Sequence, residues 1–346
     1  MTIDIRELTK KQLQEAVLEM SEKSFRANQI WEWLWKKCAR SFDDMTSLPI
    51  ALRNQLAEKF QFQTTYVDEE IKSIDKTAKL RFLLHDGQKI EGVIIPSLSR
   101  TTACISTQAG CPLGCGFCAT GKFGFQRNLS TGEIFDQVAI LNDYSLSYFK
   151  KQLTNIVIMG MGEPFLNFDA VMNAIDRIKS PEGLAMSPKR ITLSTAGLVP
   201  EILRFADINN GAQLAISLHS ANQLQRERIM PIAKKYPLKD LIKALEYYHT
   251  KTGDRVTIEY LLMSDVNDTL DDARELAAFC KHFPVKVNLI HYNEVPDLPY
   301  KKPSAETVAD FGKYLEEKNI VVNIRRSRGD DIAAACGQLA NEQTEK

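Results

Sequence analysis

The chain has 346 residues, with 44 Lys and Arg against 44 Asp and Glu. That length suits about two domains, and 44% apolar with 25% charged residues excludes disorder as the main state. Zero net charge excludes a global electrostatic pull on nucleic acid, though not a local one. The apolar runs are too short to span a bilayer, and the charged N-terminus has no apolar signal core. A cytoplasmic protein with no membrane contact is therefore expected. Seven cysteines, an odd number without an export signal, argue against a disulfide framework and for a metal or redox role.

Residues 1–62 read as helical. Apolar residues recur at helical spacing over residues 8–20, and Ile30, Trp31, Leu34 and Trp35 form a second stripe. Pro49 breaks the chain before a third helix over 51–60. With ten Lys and Arg against nine Asp and Glu in residues 1–60, the unit is nearly neutral. It reads as a small accessory bundle with a Trp-rich core, compatible with contact to RNA. Residues 63–96 read as short strands, with Asp86-Gly87 as a hairpin turn.

From 97 to 340 the texture changes. Strand-like segments at 102–106, 155–159, 190–194, 213–217, 255–262, 285–290 and 320–324 alternate with amphipathic helical stretches. This is an α/β pattern, a parallel sheet wound open or into a barrel. Small and polar residues follow five of the strands, as "STQAGC", "GMGEP", "STAG", "LHS" and "HYN". A site shared at the C-terminal strand ends would require that. The polar tail, 341–346, is expected to fray.

Cys111, Cys115 and Cys118 stand in "CPLGCGFCATG", a spacing too tight for chance among seven cysteines. Three thiolates suit an iron–sulfur cluster with one open iron. Zinc would want a fourth ligand, and only Cys104 is near in sequence. Purely structural thiols are the remaining reading. In "GMGEP", Gly162 allows a ligand close to the backbone, and Glu163 can accept from an ammonium group. Ser194, Ser217, Leu218, His219 and Asn293 lie at later strand ends, where polar groups suit a ribose, a carboxylate and an adenine.

A three-cysteine motif with an aromatic before its last member resembles the radical S-adenosylmethionine (SAM) superfamily. The resemblance implies a partial (β/α) barrel carrying a [4Fe-4S] cluster. Its open iron would bind SAM's amino and carboxylate groups, and reduction would yield a 5′-deoxyadenosyl radical. Further words narrow the likeness: "EGVIIP" at 91–96, "GFQRNLSTGEI" at 124–134, "ITLSTAG" at 191–197, "RVTIEYLLMSDVND" at 255–268, "VNLIHYN" at 287–293 and "GDDIAAACGQL" at 329–339. With "FRANQIWEWLWKK" near the start, they resemble the RlmN RNA adenosine carbon-2 methyltransferases, whose near neighbours are the Cfr resistance methylases. Ala333 stands where that family often has an acidic residue.

Carbon 2 of adenine is electron-poor and a poor nucleophile, so the hard step must come from the cofactor. The resemblance implies that Cys336 takes a methyl from one SAM, and that a second SAM, at the cluster, activates it for addition to carbon 2. It also implies that Glu91 accepts the carbon-2 proton and that Cys104 closes a transient disulfide with Cys336, releasing the base. Both thiols are then expected in surroundings that favour ionisation. Cys38 and Cys280 fit no motif. The implied partners are 23S ribosomal RNA, tRNA and an electron donor such as flavodoxin or ferredoxin, the enzyme being a monomer. Phosphate contacts are expected from Arg127, Lys189, Arg190, Arg226, Arg228, Arg325, Arg326 and Arg328. The competing readings are a carbon-8 methylase of the Cfr type, a non-methylating iron–sulfur RNA-binding or electron-transfer protein, and a zinc-binding RNA module.

Overall fold

A computed structural model describes residues 2–340. The expectation for 341–346 lies outside them.

A short strand β1 (Ile3–Asp4) and a 3-10 turn lead into α1 (Lys10–Glu19). Thr9 and Gln12 close a reciprocal cap on its first turn. There follow α2 (Phe25–Trp35) and α3 (Ile50–Lys59), the latter opened by Pro49, then β2 (Phe60–Gln61), which pairs with β1. Trp31 and Trp35 are buried, as the stripe predicts. They do not form a free-standing bundle core: the aromatic stripe is covered by the outside of the next unit.

That next unit is one continuous sheet of ten strands. It begins with an antiparallel meander, β3 (Tyr66–Lys72), β4 (Ala78–Leu83) and β5 (Lys89–Pro96), turning at Asp86-Gly87 as expected. Strand β5 pairs directly with β6 (Thr101–Ile105), so the hairpin extends the barrel sheet. A small side ribbon, β7 (Gln108–Gly110) with β8 (Phe125–Asn128), brackets α4 (Ala119–Phe123). Then α5 (Thr131–Phe149), capped reciprocally by Ser130 and Glu133, crosses to β9 (Asn155–Ile158). The alternation continues through α6 (Phe168–Lys179), β10 (Ile191–Thr195), α7 (Val199–Ile208), β11 (Gln213–Ser217), α8 (Gln223–Ile229) and α9 (Leu238–Thr252). It ends with β12 (Val256–Leu262), α10 (Leu270–Phe279), β13 (Val285–His291), α11 (Ala305–Glu317) and β14 (Val321–Arg325).

Strands β6 and β9 to β14 are parallel neighbours in chain order. They coincide with the seven strands expected from sequence. β12 is buried along its whole length, as a strand covered on both faces must be. Open edges at β3 and β14 leave the barrel partial.

The helical unit docks on α5 and α6. Trp35 meets Phe135 edge-on at 5.1 Å, and the Arg177 guanidinium lies 4.3 Å over Trp31. Arg6 is the polar anchor: Nη1 lies 2.6 Å from Asp136, and Nη2 3.3 Å from Asp4. Nη2 also donates to the Gln63 carbonyl at 2.8 Å. All three charged side chains are buried. Removing the cation would strand two buried carboxylates. Arg6→Met is therefore expected to lower the unfolding free energy by about 3–5 kcal/mol in urea titration. A change below about 1 kcal/mol would show that this network is not the anchor.

Candidate active site

The loops after the parallel strands enclose a cavity of about 270 Å³. Of the residues singled out from sequence, Cys104, Cys111, Cys115, Cys118, Gly162, Glu163, Ser194, Ser217, His219, Asn293 and Cys336 all line it. Two do not. Leu218 is buried in the core, where its carbonyl accepts from Arg226 Nε at 3.1 Å. Glu91 lies beside the cavity, beneath the loop that carries Cys336.

The cysteine loop leaves β7 through Gly110, at φ +80°, and Cys118 caps α4. The Cys111 amide donates to the Gly124 carbonyl at 2.9 Å, and the Gly116 amide to the Ile229 carbonyl at 2.9 Å. Among the described residues, no three His, Cys, Asp or Glu side chains are gathered as a single-ion site would gather them. The fit to a larger group rests on the surroundings. Burial pushes the Cys111 thiol up to about 12 and Cys115 well above its ordinary value, with Cys118 further disfavouring charge on both. Arg226 is buried in the same wall, with Nη2 2.7 Å from the Ala196 carbonyl and Nη1 without a partner. Its charge pulls against burial at Cys115. A buried cation with one nitrogen unpartnered and, among the described residues, no buried anion to neutralise it, beside buried thiols, is the environment an anionic iron–sulfur cluster needs.

Glu163 is held just after β9. Its Oε1 accepts from the Phe165 amide at 3.0 Å and its Oε2 from the Ala196 amide at 2.8 Å. Burial still raises the carboxyl to about 7, so an incoming ammonium would stabilise its charged form. Gln108 braces this turn by accepting from the Glu163 amide at 2.8 Å. A Cβ at Gly162, where φ is +99°, would stand 2.6 Å from the Gln108 side chain. Ser194 and Ser217 bond each other at 3.1 Å across β10 and β11. His219 Nδ1 accepts from the Leu261 amide at 3.0 Å, which places the ring proton on Nε2. Burial lowers this imidazole to about 3, so it stays neutral. Asn293 holds the Cys336 carbonyl at 3.2 Å.

The segment from 329 to 340 forms a lid. Thr120 Oγ1 donates to the Leu339 carbonyl at 2.5 Å, and the Ala119 amide to the Gly337 carbonyl at 2.8 Å. Ser73 and the Ile74 amide hold Asp331 from the β3–β4 turn. Cys336 is exposed to the cavity, whereas Cys104 is buried on β6. The ionisation expected of both is opposed here: desolvation pushes Cys104 up to about 12 and Cys336, enclosed by the cavity walls, above its ordinary value. The Arg325 guanidinium pulls both back.

The basic residues divide. Arg325, Arg326 and Arg328 line the cavity, Arg325 lying 3.5 Å from Glu259. Arg226 is too buried to meet a phosphate. Lys189 and Arg190 precede β10 and so stand at the opposite end of the sheet from the cavity. Arg127 is occupied by Asp86 and Glu133, at 2.6 and 2.7 Å. Cys280 is buried and Cys38 half-buried, away from the cavity lining.

Sequence reading passed over Gln108, Glu259 and Lys79. Glu259 carried a signal, a lone acid in the apolar run "VTIEYLL". Lys79 carried a fainter one, a cation on the alternation of "AKLRFLL". Gln108 carried none.

Residues 3–62 match the model of the ribosomal RNA large subunit methyltransferase N-terminal domain, and residues 105–280 that of the radical SAM superfamily. A probable dual-specificity RNA methyltransferase RlmN from Christiangramia forsetii is 49% identical over 98% of this chain and 96% of its own. The dual-specificity RNA methyltransferase RlmN of Nitratidesulfovibrio vulgaris is 45% identical over 99% and 96%. The crystal structure of a radical SAM methyltransferase from Sphaerobacter thermophilus superposes with a TM-score of 0.93 at 40% identity, over 98% of this chain and all of that one. Radical SAM enzymes work with a [4Fe-4S] cluster and SAM, and with those expectations met by the fold and the relatives, the chain belongs to the RlmN family of radical SAM RNA methyltransferases.

Proposed function

We propose that this enzyme methylates carbon 2 of adenosine in 23S ribosomal RNA and in the tRNA adenosine that follows the anticodon. The observation that carries the reading is that Cys104, Cys336 and the three motif cysteines open on one cavity, with Glu163 among them. Cys111, Cys115 and Cys118 would hold the cluster, and Gly162, Glu163, Ser194, Ser217, His219 and Asn293 would hold SAM. The cluster, when bound, supplies one-electron reduction of SAM.

The chain's own residues do the rest. Cys336 carries the methyl as a thioether, with Asn293 fixing its backbone. Glu91 accepts the carbon-2 proton. Cys104 displaces the methylated base by bonding to the Cys336 sulfur. Two SAM molecules are used per turnover, and a flavodoxin or ferredoxin supplies the electron. The protein acts as a cytoplasmic monomer. Among the described residues, no helix is long and apolar enough to cross a membrane. Residues 1–62 serve as the RNA-contacting accessory unit, 63–96 as the extension carrying Glu91, and 97–340 as the barrel.

The test is anaerobic turnover with SAM, a reductant and rRNA lacking the modification, followed by nucleoside mass spectrometry. 2-Methyladenosine is the expected product. 8-Methyladenosine would overturn the carbon-2 assignment, and cleaved SAM with unmodified rRNA and tRNA would overturn methylation itself.

A further inference from the structure

Lys79 has no part in the chemistry described so far, yet it is buried against Glu91. Its Nζ lies 3.2 Å from Glu91 Oε1, and neither side chain is more than 7% exposed. The register of the sheet explains the meeting. Arg81 stands opposite Glu91, Lys79 opposite Val93, and Val93 opposite Cys104. Paired and alternate residues share a face, so Lys79, Arg81, Glu91 and Cys104 lie on one surface. Arg81 is taken by Asp68 and Glu69, each at 2.7 Å. Lys79 is thus the cation that answers Glu91.

The pair also grips the lid. Lys79 Nζ donates to the Ala333 carbonyl at 3.3 Å, and Glu91 Oε2 accepts from the Ala340 amide at 3.1 Å. Ala333 and Ala340 flank Cys336 on its two sides. A buried ion pair is a poor source of net stability, so its presence here asks for another reason. A fixed cation on one oxygen and a fixed amide on the other hold a carboxylate in one orientation.

We propose that Lys79 is a positioning residue for proton abstraction, aiming the Glu91 carboxylate and tying it to the lid that carries Cys336. The inference rests on the reading of Glu91 as the proton acceptor. When the carbon-2 C–H bond breaks, its electron pair stays with the ring and its proton goes to Glu91. The neutral acid no longer attracts Lys79 strongly and accepts less well from the Ala340 amide. Both grips on the lid weaken at the step before Cys104 must reach Cys336.

The experiment uses the reconstituted full-length enzyme with Lys79→Met, Lys79→Arg and Glu91→Gln. Methylation of Cys336 is read by intact mass, product by nucleoside mass spectrometry, and protein–RNA adduct on denaturing gels. Lys79→Met should keep Cys336 methylation, lose product formation by about tenfold or more, part of what a positioned proton acceptor contributes, and accumulate adduct. Lys79→Arg should recover most of the product. Wild-type product from Lys79→Met would overturn the proposal. Loss of Cys336 methylation in Lys79→Met that Lys79→Arg does not restore would also overturn it, reducing Lys79 to a scaffold. Glu91→Gln separates the two readings: wild-type product from that variant would remove Glu91 as the acceptor, whatever Lys79 does.

Discussion

Cys336→Ala is expected to make no 2-methyladenosine at all, whereas Cys104→Ala should stall with the RNA still bonded to the protein. The two sulfurs share the cavity but not their roles. Cys336 sits on the lid, exposed, where a methyl donor and a base can both reach it. Without its sulfur there is nowhere to hold the methyl, and an electron-poor carbon cannot take one directly from SAM. Cys104 is buried on β6 and faces the cavity from the fixed side of the sheet. Its thiolate must attack the Cys336 sulfur, so that the sulfur–carbon bond breaks, its electron pair goes to the carbon leaving with the base, and that carbon takes a proton. Without Cys104 that bond has no partner to replace it. Labelled RNA run on denaturing gels should therefore move with protein for Cys104→Ala and not for Cys336→Ala. Full turnover by Cys104→Ala would remove its resolving role. Product from Cys336→Ala would remove the thioether route altogether.

The desolvation of both thiols at the cavity gives this prediction a second edge. Each stands above its ordinary value because desolvation disfavours the thiolate, and Arg325 is the charged group that opposes it at both. The ionisation expected from sequence is thus helped by one guanidinium, itself 3.5 Å from the buried carboxylate of Glu259. Neither Arg325 nor Glu259 is adjacent in sequence to a cysteine. Their meeting is a product of the β12–β14 neighbourhood, which spacing alone does not encode.

What sequence does encode is uneven in an understandable way. The seven parallel strands are legible because burial on both faces forces apolar runs such as 256–262, separated by helices with one apolar side. The Asp86-Gly87 hairpin is legible because the turn demands those residues. Strand β3, "YVDEEIK", falls within the stretch expected as short strands but carries no clean alternation of its own, because it is a sheet edge and mostly exposed. The cluster loop is legible from three residues at fixed spacing, since one ligand group must gather them. The roles of Glu91, Cys104 and Cys336 come only with the family likeness, because positions 91, 104 and 336 are joined by fold and not by spacing. Arg226 misleads for a related reason. In "QLQRERI" it looks like one more surface charge. Only the carbonyls of Ala196, Ser217 and Leu218, on two loops of the folded sheet, show why it is drawn inside.

Gly110→Ala is expected to empty the cysteine loop of iron while leaving the rest of the fold standing. At φ +80° the position already disfavours a side chain. The decisive effect is steric: a Cβ there would lie 1.7 Å from the Gly124 carbonyl oxygen and 2.8 Å from its carbon. Backbone, not a flexible side-chain tip, occupies that space, so the Gly124 carbonyl must move. That carbonyl is the acceptor of the Cys111 amide. Cys111 then loses its tether, and the loop loses the geometry that points three thiols into one cavity. Gly114 is the control, since its φ is +63° but nothing lies within 4 Å of its Cβ. Gly114→Ala should cost only the left-handed strain, about 1–2 kcal/mol, and keep most of its iron. Iron and sulfide content after anaerobic reconstitution would measure both variants, with the circular dichroism of the intact sheet as the check on folding. SAM cleavage should follow iron, absent for Gly110→Ala and near normal for Gly114→Ala. Equal iron in the two variants would show that the contact with Gly124 does not hold the loop, and that the cysteines gather around a cluster without help from β7 and β8.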